Sequence, residues 1–191
     1  MVYRSPKILK CCALALYKPI YHLFMLSLSQ QYLPSEWKLH MITPIFKSGD
    51  KSSVRNYRPI SLLCVISKVL EKIVYDKIFP FVSEFISPSQ FGFRPKHSTT
   101  HQLISFLNEI HGSSRSNSQT DVIYLDFKKA FDSVSHNELL VKLWSFGITG
   151  NLWKWFQAYL FGRSQCQSLC IKATTSYLWS LGAVFLVLSC S

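Results

Sequence analysis

Apolar and polar positions follow two rhythms along this chain, and the switches between them mark its elements. Ile8, Leu9, Cys12, Leu16, Ile20, Leu23 and Phe24 recur at helical spacing. They predict an amphipathic N-terminal helix interrupted near Pro19, whose ring removes a backbone donor. A turn follows at "LPSE", then a short strand over residues 39–46 and a basic loop with turn chemistry at Gly49-Asp50. "NYRPISLL" reads as extended, because Pro59 disfavours helix at Arg58. Ile66, Val69, Leu70, Ile73, Val74 and Ile78 mark a second amphipathic helix that Pro80 ends or kinks. "SPSQFGFRPKHS" is a loop, and Thr99 with Gln102 forms a capping box. The helix it opens has Leu103, Phe106, Leu107 and Ile110 as its expected buried face.

Beyond a polar stretch over residues 111–119, the period changes to two. Val122, Tyr124 and Asp126 share one face of a strand and Ile123, Leu125 and Phe127 the other. Both faces are mostly apolar, which predicts a central strand. Ser135 and Glu138 form another capping box, for a helix that ends at Gly147. A further helix is expected from about residue 151 to 161, stopping at Gly162, with a hairpin over 166–171 and 176–179. No internal repeat or heptad is present, and the mixture is α+β.

Composition narrows the function. The 191 residues suit one domain or a piece of a larger one, and 48% hydrophobic residues provide a core. A net charge of +11 points to a polyanionic partner, nucleic acid first and an anionic membrane surface second. None of the six cysteines forms a C-x-x-C pair and most sit among apolar residues. They read as reduced thiols of an intracellular protein, nuclear or cytoplasmic and not secreted. The basic start followed by "CCALAL" lacks a signal-peptide cleavage site, and "LWSLGAVFLVL" is well short of the ~20 residues that span a bilayer, so no membrane is expected.

Asp126 is the residue that needs explaining. A carboxylate closing a buried strand is poorly solvated unless a cation joins it. Lys128 and Lys129 offer one solution; a divalent metal, which takes carboxylate and phosphate oxygens, offers another.

"DVIYLDFKKAFDSVSHNELLVKLWSFGI" resembles the first catalytic-aspartate motif of reverse transcriptases of LINE-type (non-LTR) retrotransposons, in their jockey-like form. "PSEWKLHMITPIFKSGDKSSVRNYRPISLLCVISKVLEKIV" resembles their upstream fingers block, and "SPSQFGFRPKHSTTHQL" the block after it. Three blocks in order are far more specific than any one. The resemblance implies part of a right-hand polymerase fold: fingers with N-terminal helices over residues 1–120, part of the palm with an antiparallel sheet over 121–175, and a hydrophobic tail over 176–191. It implies RNA-directed DNA synthesis on an RNA template and DNA primer from deoxynucleoside triphosphates. Two Mg²⁺ ions would activate the primer hydroxyl and stabilise the leaving pyrophosphate.

By the same resemblance, Asp126 is the catalytic metal ligand and the backbone carbonyl of Phe127 a further one. Phe131 would lie under the sugar of the incoming nucleotide and exclude a 2′-hydroxyl; Asp132 is a cap or turn residue. Lys47 and Arg58 would grip the triphosphate, arginine suiting a bidentate contact and lysine a point charge. Gln90, Phe91, Gly92 and Arg94 would lie near the template strand. A solvated basic loop, turn packing and a structural glycine are the corresponding plain readings. The pattern fails near its end: where the family has a G-x-P-Q-G-S block and then adjacent aspartates, this chain reads "LGAVFLVLSCS". The expectation is a polypeptide inactive by itself, its last eleven residues the product of a frame change or misassembly. A non-catalytic, basic RNA- or DNA-binding remnant is the alternative. An uncovered sheet edge and the uncharged "AVFLVL" also predict poor solubility.

Overall fold

Local chemistry sets most of the elements. The computed structural model describes residues 6–115, 118–126 and 134–167. In chain order these form α1 (Pro6–Cys11), α2 (Ala13–Ser29), α3 (Ser35–Lys38), β1 (Leu39–Phe46), β2 (Tyr57–Leu62), α4 (Val65–Val82), α5 (Thr99–Arg115), α6 (His136–Ser145), α7 (Gly150–Leu160) and β3 (Ser164–Gln167). The class is α+β. The N-terminal helical run breaks at Cys12 rather than at Pro19, which α2 accommodates inside its length. Pro80 likewise lies within α4, and a 3₁₀ turn at Ser83–Phe85 follows the helix.

The sheet has the order β2-β1-β3. β1 and β2 pair antiparallel, Met41 opposite Leu62 through Phe46 opposite Tyr57. β3 lies parallel to β1, with Leu39 opposite Ser164 and Ile42 opposite Gln167. The antiparallel pairing therefore belongs to residues expected in the fingers. Residues 166 and 167 enter a parallel strand, and the rest of the expected hairpin, over 168–171 and 176–179, lies outside the described residues.

The core is helical. On α7, Trp155, Phe156, Tyr159 and Leu160 are buried together at helical spacing. They join Phe24 of α2, Trp37 of α3, Leu70, Val74, Ile78 and Val82 of α4, and Leu139, Leu140 and Leu143 of α6 in one cluster. The α2–α7 contact is also polar: Trp155 Nε1 donates to Ser27 Oγ at 3.1 Å, and Ser27 Oγ donates to the Tyr32 carbonyl at 2.7 Å. The end of α6 is a complete Schellman turn. Gly147 (φ +88°) donates to the Trp144 carbonyl and buried Ile148 to that of Leu143. Its start is capped as expected, Ser135 accepting from the Glu138 amide at 3.4 Å. For α5 the cap is Ser98, which accepts from His101, and not Thr99.

One buried polar cluster joins the layers. The buried stripe of α4 is Ser67, Leu70, Glu71, Val74, Ile78 and Val82; the expected Val69 and Ile73 are exposed. Glu71 accepts from Ser67 Oγ at 3.1 Å and from the Tyr159 hydroxyl, within reach of Arg163's charge. Arg163 lies over the Tyr159 ring at 4.0 Å, donates from Nε to the Tyr159 carbonyl at 2.7 Å and from Nη1 to His40 Nε2 at 2.6 Å. A guanidinium only donates, so Nε2 of His40 accepts and its proton sits on Nδ1. Burial, and then the Arg163 charge, hold His40 down at about 4. Burial pushes Glu71 above the ordinary carboxylate range against the pull of Arg163, Ser67 and Tyr159.

Leu143→Ala removes a side chain with 0% exposure and is expected to cost about 2–5 kcal/mol in chemical denaturation. The two titrating groups act in opposite directions. Between about pH 6.5 and 4 the unfolded imidazole takes a proton that folded His40 refuses, so this residue makes the fold less stable on acidification. Glu71 takes its proton in the folded chain first and does the reverse. Since His40→Gln removes the histidine contribution alone, the parent should lose stability relative to the variant as pH falls through that window. Parallel stability–pH curves would show that His40 does not titrate there.

Candidate functional site

The β1–β2 hairpin presents two cations on one face. Arg58 stands opposite Ile45, and the Lys47 amide donates to the Asn56 carbonyl at 2.8 Å, which extends the register by one pair. Cross-strand partners share a face, and so do alternate residues along a strand. Lys47 is therefore the diagonal neighbour of Arg58. Both are exposed, and neither forms an ion pair among the described residues, where the one salt bridge is Lys72–Asp76.

The loop between the strands is held by its own bonds. Asn56 Nδ2 donates to the Asp50 carbonyl at 2.8 Å and the Tyr57 hydroxyl to the Lys51 carbonyl at 2.9 Å. The Asp50 carboxylate accepts from the amide and hydroxyl of Ser52, and these bonds lower its pKa. Gly49 has φ +89°, and a Cβ there would come within 2.9 Å of Asn56 Nδ2, so the turn requires glycine. Phe46 and Tyr57 meet edge-on at 5.5 Å beside Lys51. Lys47 and Arg58 thus project from a braced frame.

The Asp126 segment does not have the expected form. Residues 121–126 form no strand, and Ile123, Tyr124 and Leu125 are more than 80% exposed. A central strand needs a hydrogen-bonded neighbour on each side, and among the described residues none pairs with this segment. Without one, its alternating apolar faces stay largely uncovered by the described residues, the ring contact being Tyr124 with Phe106 of α5 at 6.2 Å. The expected buried face of α5 shares this condition, with no buried residue along the helix.

Asp126 itself is exposed. No three His, Cys, Asp or Glu side chains come together as metal ligands among the described residues. A magnesium pair needs more oxygen donors than one exposed carboxylate, so the described donor set does not fit that ion. Phe127, Phe131, Asp132, Lys128 and Lys129 lie outside the described residues.

The 87–97 loop is only partly as expected. Arg94 turns inward: Nη1 donates to the Ser87 carbonyl at 3.0 Å and lies 3.4–3.5 Å from those of Pro88 and Gln90. It braces the loop. Phe91 meets the His97 ring at 5.5 Å, and Gln90 Nε2 reaches the Gly92 carbonyl at 3.4 Å. A Cβ on Gly92 would meet nothing within 4 Å, which leaves the backbone there open to solvent.

The Glu71–Arg163–His40 cluster was missed from the sequence. Its available signal was the position of Glu71, which falls on the apolar stripe of α4 between Leu70 and Val74.

Residues 47–181 match the family model described as reverse transcriptase (RNA-dependent DNA polymerase). The chain is 39% identical over 116 residues to a probable RNA-directed DNA polymerase from transposon X-element of Drosophila melanogaster, covering 59% of this chain and 13% of that protein. It is 34% identical over 114 residues to the RNA-directed DNA polymerase from mobile element jockey of the same species, covering 58% and 12%. It is 30% identical over 125 residues to a Pol polyprotein from the type-1 retrotransposable element R2 of Popillia japonica, covering 64% and 17%. The matched stretch thus spans less than a fifth of each of these relatives.

Proposed function

Since the chain belongs to the reverse transcriptase family of jockey-like, non-LTR retrotransposons, we propose that it is a fingers-and-palm segment of an RNA-directed DNA polymerase whose β1–β2 hairpin grips the incoming nucleotide. The observation that supports this reading is the diagonal pairing of Lys47 and Arg58 on one exposed face, beside a loop locked by Gly49, Asp50 and Asn56. A triphosphate offers several anionic oxygens. A guanidinium fork and an ammonium one register step apart meet them from two directions, and the braced hairpin means little ordering is left to be done on binding. The substrates are deoxynucleoside triphosphates, with an RNA template and DNA primer.

Members of this family generally use Mg²⁺. Asp126 would be this chain's contribution to that role, and one carboxylate is too few donors to hold the ion by itself. In this reading the segment over 121–126 becomes a strand of the palm when paired, and Gln90, Phe91 and Gly92 face the template. Arg94 acts on the template indirectly, by shaping their loop.

A second reading, a non-catalytic module that binds RNA or DNA through its basic surface, is favoured by the exposed Asp126 and its lack of companion ligands among the described residues.

Titration of the chain with a deoxynucleoside triphosphate is expected to show that Lys47→Ala and Arg58→Ala each weaken binding at least about tenfold, as for the loss of a charge-assisted hydrogen bond of ~1.5–3 kcal/mol. Binding of the phosphate-free nucleoside should not change. Undiminished triphosphate affinity in the double variant removes the pair from the site. In primer extension on an RNA template, Asp126→Asn should abolish synthesis and leave RNA binding intact. Extension equal to the parent's rules out the catalytic role. Because the chain is expected to be inactive by itself, the second reading is favoured by a parent that binds RNA yet supports no extension even when the rest of a related polymerase is supplied in trans.

A further inference from the structure

Lys38 and Lys47 bracket β1, and at the strand rise of about 3.3 Å per residue they stand about 30 Å apart. The Lys38 end opens into a hollow of about 700 Å³ between the end of α2, α3 and α7. This is within the ~300–1,000 Å³ range of small-ligand sites, and the hollow is wide open to solvent. Lys38 and Lys154 supply charge, Trp153 and Phe161 aromatic surface, and Gln31 and Gln157 amides. No carboxylate lines it among the described residues.

Both rings are held in place. Trp153 Nε1 is already used, donating to the Leu140 carbonyl at 2.9 Å, and its ring stands edge-on to Trp144 at 5.6 Å. Phe161, 41% exposed, is braced edge-on by His136 at 5.8 Å. Gly162 then turns the chain at φ +70°, and a Cβ there would lie 3.6 Å from Lys38 Nζ, which places the ammonium over the turn that follows the phenyl ring. The parallel pairing of Leu39 with Ser164 brings these pieces together.

We infer that this hollow is a second nucleic-acid site, binding an unpaired strand by stacking bases on Phe161 and Trp153 and contacting phosphates through Lys38 and Lys154. Fixed aromatic faces flanked by cations, without acidic groups, suit single strands of any sequence, because every base has a π-face and every linkage a charge. A duplex hides its bases and cannot stack there. The site is independent of the polymerase reading, since it uses neither the hairpin cations nor Asp126.

The test is fluorescence anisotropy on the whole 191-residue chain with labelled oligouridylate, oligothymidylate and an RNA duplex of equal length, at several salt concentrations. Both single strands should bind more tightly than the duplex, and the tighter of the two identifies RNA or DNA as the occupant. Phe161→Ala should weaken single-strand binding about fivefold or more with little change in salt dependence, and Phe161→Tyr, which keeps the ring, should restore it. Lys38→Gln with Lys154→Gln should weaken it about tenfold and flatten the slope of log affinity against log salt by up to ~1.4, two contacts at ~0.7 each. A separate triphosphate titration reads the hairpin cations, so a failure of the nucleotide-gripping reading would not be mistaken for a failure of this one. Unaltered single-strand affinity in the Phe161→Ala and double-lysine variants overturns the proposal, as does an equal loss of duplex and single-strand binding.

Discussion

The parallel seam between β1 and β3 is the constraint on which the other parts depend. It is short, four residue pairs from Leu39–Ser164 to Ile42–Gln167, and so short a parallel pairing contributes little by its ladder alone. Beside it the Arg163 guanidinium bonds His40 on β1, covers the ring of Tyr159 on α7 and faces Glu71 on α4. A buried carboxylate is tolerated only with such company. Once that company is assembled, the start of β1 is tied to the end of α7, and the helical core and the hairpin become one frame. The two candidate binding surfaces stand at opposite ends of the strand so anchored.

Local punctuation was readable in the sequence. β1 ends where Ser48-Gly49-Asp50 makes helix or strand equally poor, and α6 starts at Ser135 and stops at Gly147 because each supplies a specific backbone bond. The relation of Lys47 to Arg58 was also within reach, since it depends only on hairpin register. Glu71 was not: it interrupts an apolar stripe, and the arginine that balances it comes from a distant element. Arg94 illustrates the same limit within one loop, where a cation suited to phosphate finds three carbonyls of its own chain first.

The segment ending at Asp126 shows why periodicity alone does not make a strand. Alternation states which neighbours a segment requires, and pairing depends on whether they are present. Among the described residues, Val122 to Leu125 have no pairing strand and are exposed, and on the apolar face of α5 Leu103 and Leu107 are exposed while Phe106 and Ile110 are half-buried. Membership of the reverse transcriptase family and the geometry around Asp126 are therefore separate matters: the first follows from the match over residues 47–181, the second from partners.

The bond from Trp155 to Ser27 spans 128 positions of sequence. At ~5–20 residues per second of ribosomal synthesis, α2 emerges roughly 6–25 s before the indole that completes its packing. For that interval the face of α2 that packs on α7 has no permanent cover. α2 is thus exposed to wrong partners while it waits, and this part of the core closes only when α7 arrives.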